Sequence, residues 1–315
     1  MSDLDRYVDF EPVLEDVFKP LGNELRIEIL LALAQASEPL PFTTLQEQLG
    51  IEDSGKFNYH INELTTHFIR KTGRGYELRH PGRAIIRTIR EGAIASDPVI
   101  PPRLIDLPCP FCGADQEFSY ADEKLQLRCS NCDGTVGEPY EPGTLMSYEL
   151  PAAGLLGRTE RDVAAAAHRL YDAEVIAMTG GVCPRCSGTV ESEFELCEDH
   201  DTENEDICRT CHTRYLSWVV YTCSNCSHAR QFPPWFKAFQ LPEVIAFFHE
   251  AAGFTRELPF PKFLTDDGTD FRQVTEEVRN TDPVELAITL CLDDAYCTVV
   301  IDEDLDVTVE DKTGG

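Results

Sequence analysis

Thirteen cysteines stand in this chain of 315 residues, and ten of them fall in Cys-x-x-Cys pairs. The pairs are 109/112, 129/132, 183/186, 208/211 and 223/226. Two cysteines two residues apart turn two sulfurs toward one point, and two such turns give the tetrahedral thiolate set that holds Zn²⁺. Cys109 and Cys112, then sixteen residues, then Cys129 and Cys132 fit a zinc ribbon. Pro110, Gly113 and Gly134 suit tight knuckles. A redox-active dithiol would need one pair in a thioredoxin-like βαβ setting, which the sequence lacks.

The second cysteine region holds a near-repeat. Cys183 and Cys186 are followed after ten residues by Cys197-x-x-His200, and Cys208 and Cys211 are followed after eleven by Cys223 and Cys226. A tandem reading puts Cys183, Cys186, Cys197 and His200 on one ion and Cys208, Cys211, Cys223 and Cys226 on the next. A crossed reading joins 183/186 with 208/211 or 223/226 and leaves Cys197 structural; spacing alone does not exclude it. The tandem reading expects about three Zn²⁺ per chain on twelve ligands. His212 and His228 stand beside ligands and read as exposed or outer-sphere. Cys291 and Cys297 read as core thiols in a strand. Four protein ligands per ion leave no open position, so the sites read as structural. No nucleophile–base arrangement, phosphate-binding glycine loop or carboxylate pair stands out, and the expectation is a protein that is not an enzyme.

The chain around these cysteines is strongly acidic. Lys and Arg number 27 against 56 Asp and Glu, a net charge of −29. Seven of the basic residues are Lys and twenty Arg. Excess carboxylate with Arg in place of Lys reads as a protein of a salt-loving cytoplasm. The first residues are acidic and do not resemble a targeting segment, and no apolar run approaches the length of a membrane span, so a cytoplasmic protein without membrane contact is expected.

The elements divide the chain. Residues 1–94 read as helices with one hairpin. A short helix covers 11–18. A second is capped by Asn23 and carries Leu25, Ile29 and Leu33 at spacing four. A third opens on a Thr43–Gln46 capping box and stops at Gly50. A fourth, capped by Asp53 or Ser54, carries the stripe Phe57, Ile61, Leu64 and Phe68. The hairpin runs through 69–71, a Gly-rich tip and 76–78, and Pro81 opens a fifth helix. Five prolines between Asp97 and Pro110 make 95–108 a linker rather than a helix or central strand. The first ribbon then spans 109–150, a helical connector opening on the Thr159–Asp162 capping box spans 151–182, and the knuckles span 183–230. A helix from Leu241-Pro242 and a β meander fill 231–315. The expected fold class is α+β: a winged helix-turn-helix, zinc-ribbon-type small β modules, intervening helices and a C-terminal meander.

A winged helix reads DNA with a helix that is apolar on one side and polar on the other. The fourth helix meets this, leaving Lys56, Asn58, Tyr59 and Asn62 opposite its apolar stripe. Asparagine can pair bidentately with adenine, and tyrosine can reach phosphate or a thymine methyl. From Ser54 to Arg90 there are eight basic residues against two acids, a net +6 that leaves −35 for the rest of the chain. Arg70, Lys71 and Arg74 place that charge on the hairpin. A basic patch in so acidic a chain points to a double-stranded DNA partner, the alternative being a plain amphipathic helix beside a solvated charged face.

The stretch Pro20-Leu21-Gly22-Asn23-Glu24-Leu25-Arg26-Ile27-Glu28-Ile29-Leu30 resembles the start of ArsR-type winged-helix regulators. Asn58-Tyr59-His60-Ile61-Asn62-Glu63-Leu64 resembles their recognition helix. The nearest resemblance is to haloarchaeal regulators that carry cysteine knuckles after the helix-turn-helix. It covers residues 11–92 strongly and 109–253 loosely. The resemblance implies a homodimer through the first and last helices of the DNA-binding domain, and base contacts near Ser54, Lys56, Asn58 and Tyr59. Metal-sensing members keep cysteine ligands inside the winged helix; this chain has none there. His60 resembles a family histidine and reads as buried and hydrogen-bonded. The expected function is a sequence-specific transcriptional regulator whose ribbons stiffen an acidic domain that meets a ligand, a partner or a second subunit. The alternative is a general initiation factor of the TFE-alpha type, working with the transcription machinery through RNA polymerase. A ribbon protein acting on RNA is a weaker third, since the ribbons show no aromatic–basic stacking surface.

Overall fold

The computed structural model describes residues 18–92, 98–201, 207–252, 274–292 and 294–313. The chain divides into two compact units, Met1–Ser96 and Asp97–Gly315. The helix expected over 11–18 lies, apart from Phe18, outside the described residues.

In the first unit α1 spans Glu24–Gln35, and the Asn23 side chain accepts from the Arg26 N–H at its start. α2 covers Phe42–Gln48. Its entry corrects the expected Thr43–Gln46 box: Pro41 holds the cap position with no side-chain cap bond. The Gln46 amide instead donates to the Ile51 carbonyl and to Ser54 Oγ, at 2.8 and 2.9 Å, which ties α2 to the start of α3. α3 covers Ser54–Thr65, with the Asp53 carboxylate accepting from Lys56 N at 2.9 Å. Phe57, Ile61, Leu64 and Phe68 are all buried, as their spacing requires. Each such burial stabilises the unit by about 2 kcal/mol.

β1 (Ile69–Thr72) and β2 (Gly75–Leu78) pair as an antiparallel hairpin, and α4 covers His80–Arg90. The chain before α2 adds to the hairpin: Leu40 and Tyr76 exchange both backbone hydrogen bonds, at 2.9 and 2.8 Å. This close pairing explains Gly75, where a Cβ would sit 2.3 Å from the Leu40 carbonyl.

In the second unit β3 (Ile100–Pro108), β4 (Asp115–Ala121), β5 (Lys124–Cys129) and β6 (Thr144–Glu149) form an antiparallel sheet in that order. Residues 100–108 are therefore a strand and not the expected linker. β3 lies at the sheet edge, and its ladder to β4 shifts register between Ile100 and Arg103 and between Ile105 and Pro108; an edge and an irregular ladder both tolerate prolines that cannot donate. α5 (Glu160–Thr179) opens on the capping box read from Thr159 and Asp162. β7 (Val190–Leu196), β8 (Ser217–Cys223) and β9 (Ala229–Phe232) form a second sheet. A 3-10 turn over Pro234–Gln240 leads to α6 (Pro242–Ala252). β10 (Val274–Thr281), β11 (Val284–Leu292), β12 (Ala295–Asp302) and β13 (Val307–Lys312) make the expected meander.

The four blocks read from sequence are not four bodies. Val163, Ala164 and Ala167 of α5 pack into the core under β3–β6. Val175 and Met178 of the same helix enter a second core with β8, the 3-10 turn, α6 and the meander. Tyr171 packs against both. Cys297 is buried as expected, whereas Cys291 is half-exposed.

Candidate functional site

Three clusters gather twelve ligand atoms. Cys109, Cys112, Cys129 and Cys132 form the first; Cys183, Cys186, Cys223 and Cys226 the second; Cys197, His200, Cys208 and Cys211 the third. Within each, the ligand atoms lie within 4.8 Å of one another. The sulfur pairs 109/132 and 112/129 stand 3.7 and 3.4 Å apart, and 183/226 and 186/223 stand 3.7 and 3.5 Å apart. Four sulfurs placed tetrahedrally at the Zn–S bond length would be about 3.8 Å apart. All thirteen cysteines are free of disulfides. The donor set and its spacing therefore fit one metal ion per cluster.

The tandem pairing is overturned. β7 and β8 pair antiparallel from Val190↔Cys223 to Leu196↔Ser217, so the chain leaving Cys186 returns at Cys223. The 183/186 knuckle meets 223/226 at the open end of this hairpin, and 197/200 meets 208/211 in its loop. One site is nested inside the other. The crossed reading had the outer partners, but Cys197 and His200 are part of a cluster and not bystanders.

Four of the knuckles are one repeated turn. The N–H groups of Gly113, Ser187, His212 and Ser227 donate to the carbonyls of Cys109, Cys183, Cys208 and Cys223, at 2.9, 2.9, 2.9 and 3.1 Å. The N–H of each of those cysteines donates to the carbonyl five residues on, at 2.7–3.0 Å. The residue after the second cysteine takes a left-handed φ of 56–75° in all four. His212, read as exposed or outer-sphere, is exposed and has a backbone role in this turn. The turn also aims N–H groups at sulfur: Phe111, Thr210 and Asn225 donate to Cys109, Cys208 and Cys223, each at 3.4 Å. Such donors stabilise thiolates held on a cation.

The protonation balance points the same way. Asn225 and the Gly188 backbone pull the Cys186 thiol down to about 6, while burial pushes Cys109 up to about 11. Burial holds the His200 imidazole below its ordinary value, which favours the neutral, metal-binding ring. Crowded sulfurs of this kind need a cation to become thiolates together.

The residues expected to meet DNA are all on the surface of the first unit. Ser54, Lys56, Asn58, Tyr59 and Asn62 of α3 are exposed, as are Arg70, Lys71 and Arg74 of the hairpin. Some are engaged. Arg70 Nε donates to Glu77 Oε1 at 2.6 Å, and Arg74 stands 3.7 Å from Glu38. Beneath α3, Arg26 Nε donates to His60 Nδ1 at 3.3 Å and Nη1 to Glu63 Oε2 at 3.3 Å. Burial, then the Arg26 charge, lowers the His60 pKa, so the ring is a neutral, hydrogen-bonded core group. The Arg26 guanidinium also stands 5.9 Å from the centre of the Tyr59 ring and steadies it.

One polar chain escaped sequence reading. Tyr148 of β6 and His168 of α5 share a 2.7 Å hydrogen bond, and His168 Nε2 lies 3.6 Å from Asp172 Oδ1. All three residues are buried. The i,i+4 spacing of His168 and Asp172 on the inner face of an alanine-rich helix was the available signal.

Residues 106–307 match the family described as Domain of unknown function (DUF7351), and the chain belongs to that family. Residues 14–89 match a second, Domain of unknown function (DUF7347). The two matches fall in the two structural units. No curated protein and no solved structure gives a significant match. Among the described residues no helix is long and apolar enough to cross a membrane.

Proposed function

We propose that the chain is a sequence-specific DNA-binding transcriptional regulator with an ArsR-type winged helix over residues 18–92. In this reading α3 enters the major groove, the β1–β2 hairpin is the wing, and two copies bind a two-fold operator. One observation carries it: α3 buries Phe57, Ile61 and Leu64 while exposing Lys56, Asn58, Tyr59 and Asn62 beside a basic hairpin. In a chain of net −29 such a patch attracts a polyanion only locally. Leu40 pairing with Tyr76 supports the wing, since it adds a third backbone segment to the hairpin.

The three clusters hold Zn²⁺ in this proposal. Cys109, Cys112, Cys129 and Cys132 would hold one ion, Cys183, Cys186, Cys223 and Cys226 another, and Cys197, His200, Cys208 and Cys211 the third. Each ion would crosslink two turns of chain, which is a folding role and not a catalytic one.

Genome-wide crosslinking of the tagged protein tests the function. A small set of sharp promoters is the expected result. Occupancy of all promoters, with RNA polymerase co-purifying, would replace the regulator with a general initiation factor; no DNA recovery would overturn both.

A further inference from the structure

The first and third metal clusters are joined by two stretches of chain that supply no ligand. Residues 134–137 follow ligand Cys132, and residues 212–214 follow ligand Cys211. The two stretches meet in a short antiparallel bridge at Val136 and Thr213. The Gly137 N–H donates to the His212 carbonyl at 2.8 Å, and the Arg214 N–H donates to the Thr135 carbonyl at 2.9 Å. The approach is close: a Cβ on Gly137 would stand 3.1 Å from Ile207, the residue before ligand Cys208.

Arg214 ties this junction to both ligand sets. Its Nε donates to the Gly134 carbonyl at 2.8 Å. Its guanidinium lies 4.1 Å from the centre of the Phe111 ring, and Phe111 stands between ligands Cys109 and Cys112. A planar guanidinium can lie on a ring and hold a carbonyl at once, which an ammonium does poorly. On the other side the Arg214 backbone accepts a hydrogen bond from the ring of His200, whose Nδ1 stands 3.4 Å from Cys211 Sγ. A carbonyl partner of this kind fixes the tautomer and orientation of a ligating histidine. One residue therefore touches ligand-bearing turns of both clusters.

These bonds need both turns in place. The Gly134 and Thr135 carbonyls and the Phe111 ring belong to turns that an ion in the first cluster would close. The Arg214 backbone follows the turn that an ion in the third would close. Whichever ion binds first orders part of the shared junction, so the other has less chain left to order. We propose that Arg214 couples the first and third clusters, so that filling either one raises the affinity of the other. Such coupling is reciprocal by thermodynamic necessity, and about tenfold lies within its usual range. It rests on the reading of the clusters as metal sites and not on DNA binding. Structural zinc sites bind tightly enough to stay filled after a loss of that size, so the ion count at saturating Zn²⁺ does not report it.

Protection of individual cysteines does report it. The full-length protein is equilibrated at a series of free Zn²⁺ concentrations fixed by a chelator, pulsed with N-ethylmaleimide and mapped by peptide mass. The half-protection point of each cysteine set gives the affinity of its cluster. His200→Ala should move Cys109, Cys112, Cys129 and Cys132 to about tenfold higher free Zn²⁺ and leave Cys183, Cys186, Cys223 and Cys226 in place. Arg214→Ala spares every ligand and should move the first and third clusters in the same direction. In that background His200→Ala should shift the first cluster by about threefold or less, since the link it acts through is already cut. Arg214→Lys keeps the charge and loses the planar fork, and it should give the same result if Arg214→Ala does not fold. A first cluster unmoved by His200→Ala, or a shift undiminished without Arg214, would overturn the coupling and leave the metal sites standing. An equal shift of the second cluster would make the effect a general loosening of the unit and would overturn the coupling as well. Zn²⁺ that protects none of these cysteines would overturn the metal reading and the coupling together.

Discussion

The sulfurs of Cys183 and Cys226 lie 3.7 Å apart across forty-three residues of chain. Between them the β7–β8 hairpin runs out and back, and its loop carries the separate cluster of Cys197, His200, Cys208 and Cys211. Seven residue pairs separate the two ends, about 20 Å of strand. Sites so far apart and without a shared ligand should load independently. Metal analysis of protein purified without chelator is expected to give about three ions per chain. His200→Ala should lower this to about two and leave the outer sulfurs protected from thiol reagents. Loss of two ions from that single change would show the hairpin to be one cooperative metal unit.

The α3 surface makes a different kind of claim. Asn58→Ala and Tyr59→Ala should lower affinity for a specific site more than for random DNA, by about 1–3 kcal/mol for a lost base contact. Arg74→Ala at the hairpin tip should weaken both by similar amounts, because a phosphate contact carries no sequence information. Binding isotherms on specific and random duplexes separate the cases. Equal loss of specificity from all three would mean that α3 does not lie in the groove.

Much of this architecture could be read from residue order because it depends on local patterns. The stripe from Phe57 to Phe68, the caps at Asn23, Asp53 and Thr159, and the alternating tail each act within a few residues. All three reappear in the structure. The first metal cluster was legible because two knuckles bracket one hairpin. The second and third were not, because pairing within 183–226 is set by which strands hydrogen-bond. Intervals of ten and eleven residues suit a nested and a tandem order equally. The β3 strand was hidden by its prolines, which are tolerated because no further strand pairs outside it among the described residues and because its ladder to β4 shifts register beside them.

Asp172 should leave a mark on the pH dependence of stability. Burial raises its pKa from the ordinary 3.8 to about 7. The unfolded chain therefore ionises it first. Its favourable contribution is complete below about pH 4, declines as pH rises, and is gone above about pH 7. Asp172→Asn removes the ionisation and keeps the shape. From pH 6 to pH 8 the variant should gain about 1 kcal/mol on the parent. Denaturant unfolding at the two pH values measures this; parallel profiles would mean that Asp172 is ionised in the fold at pH 6.

The segregation of charge gives the last prediction. Neutralising phosphates releases counterions, so DNA affinity should fall with salt at a log–log slope of about −0.9 per phosphate contacted. The +6 stretch from Ser54 to Arg90 is joined to a remainder of −35, which repels DNA at long range. That repulsion reaches about 30 Å at 0.01 M salt but only about 3 Å at 1 M, while close contacts persist. Raising salt therefore removes an attraction and a repulsion together. The full chain should show a shallower salt dependence than the eight basic residues of that stretch imply, or a maximum. Residues 97–315 carry most of the acid, and they form a unit separate from residues 1–96. Reversing a group of exposed acids there, Glu191→Lys, Glu193→Lys and Glu195→Lys together, should steepen the decline with no change in the α3 surface. Equal slopes for parent and variant from low to molar salt would show that the acidic unit does not modulate DNA binding.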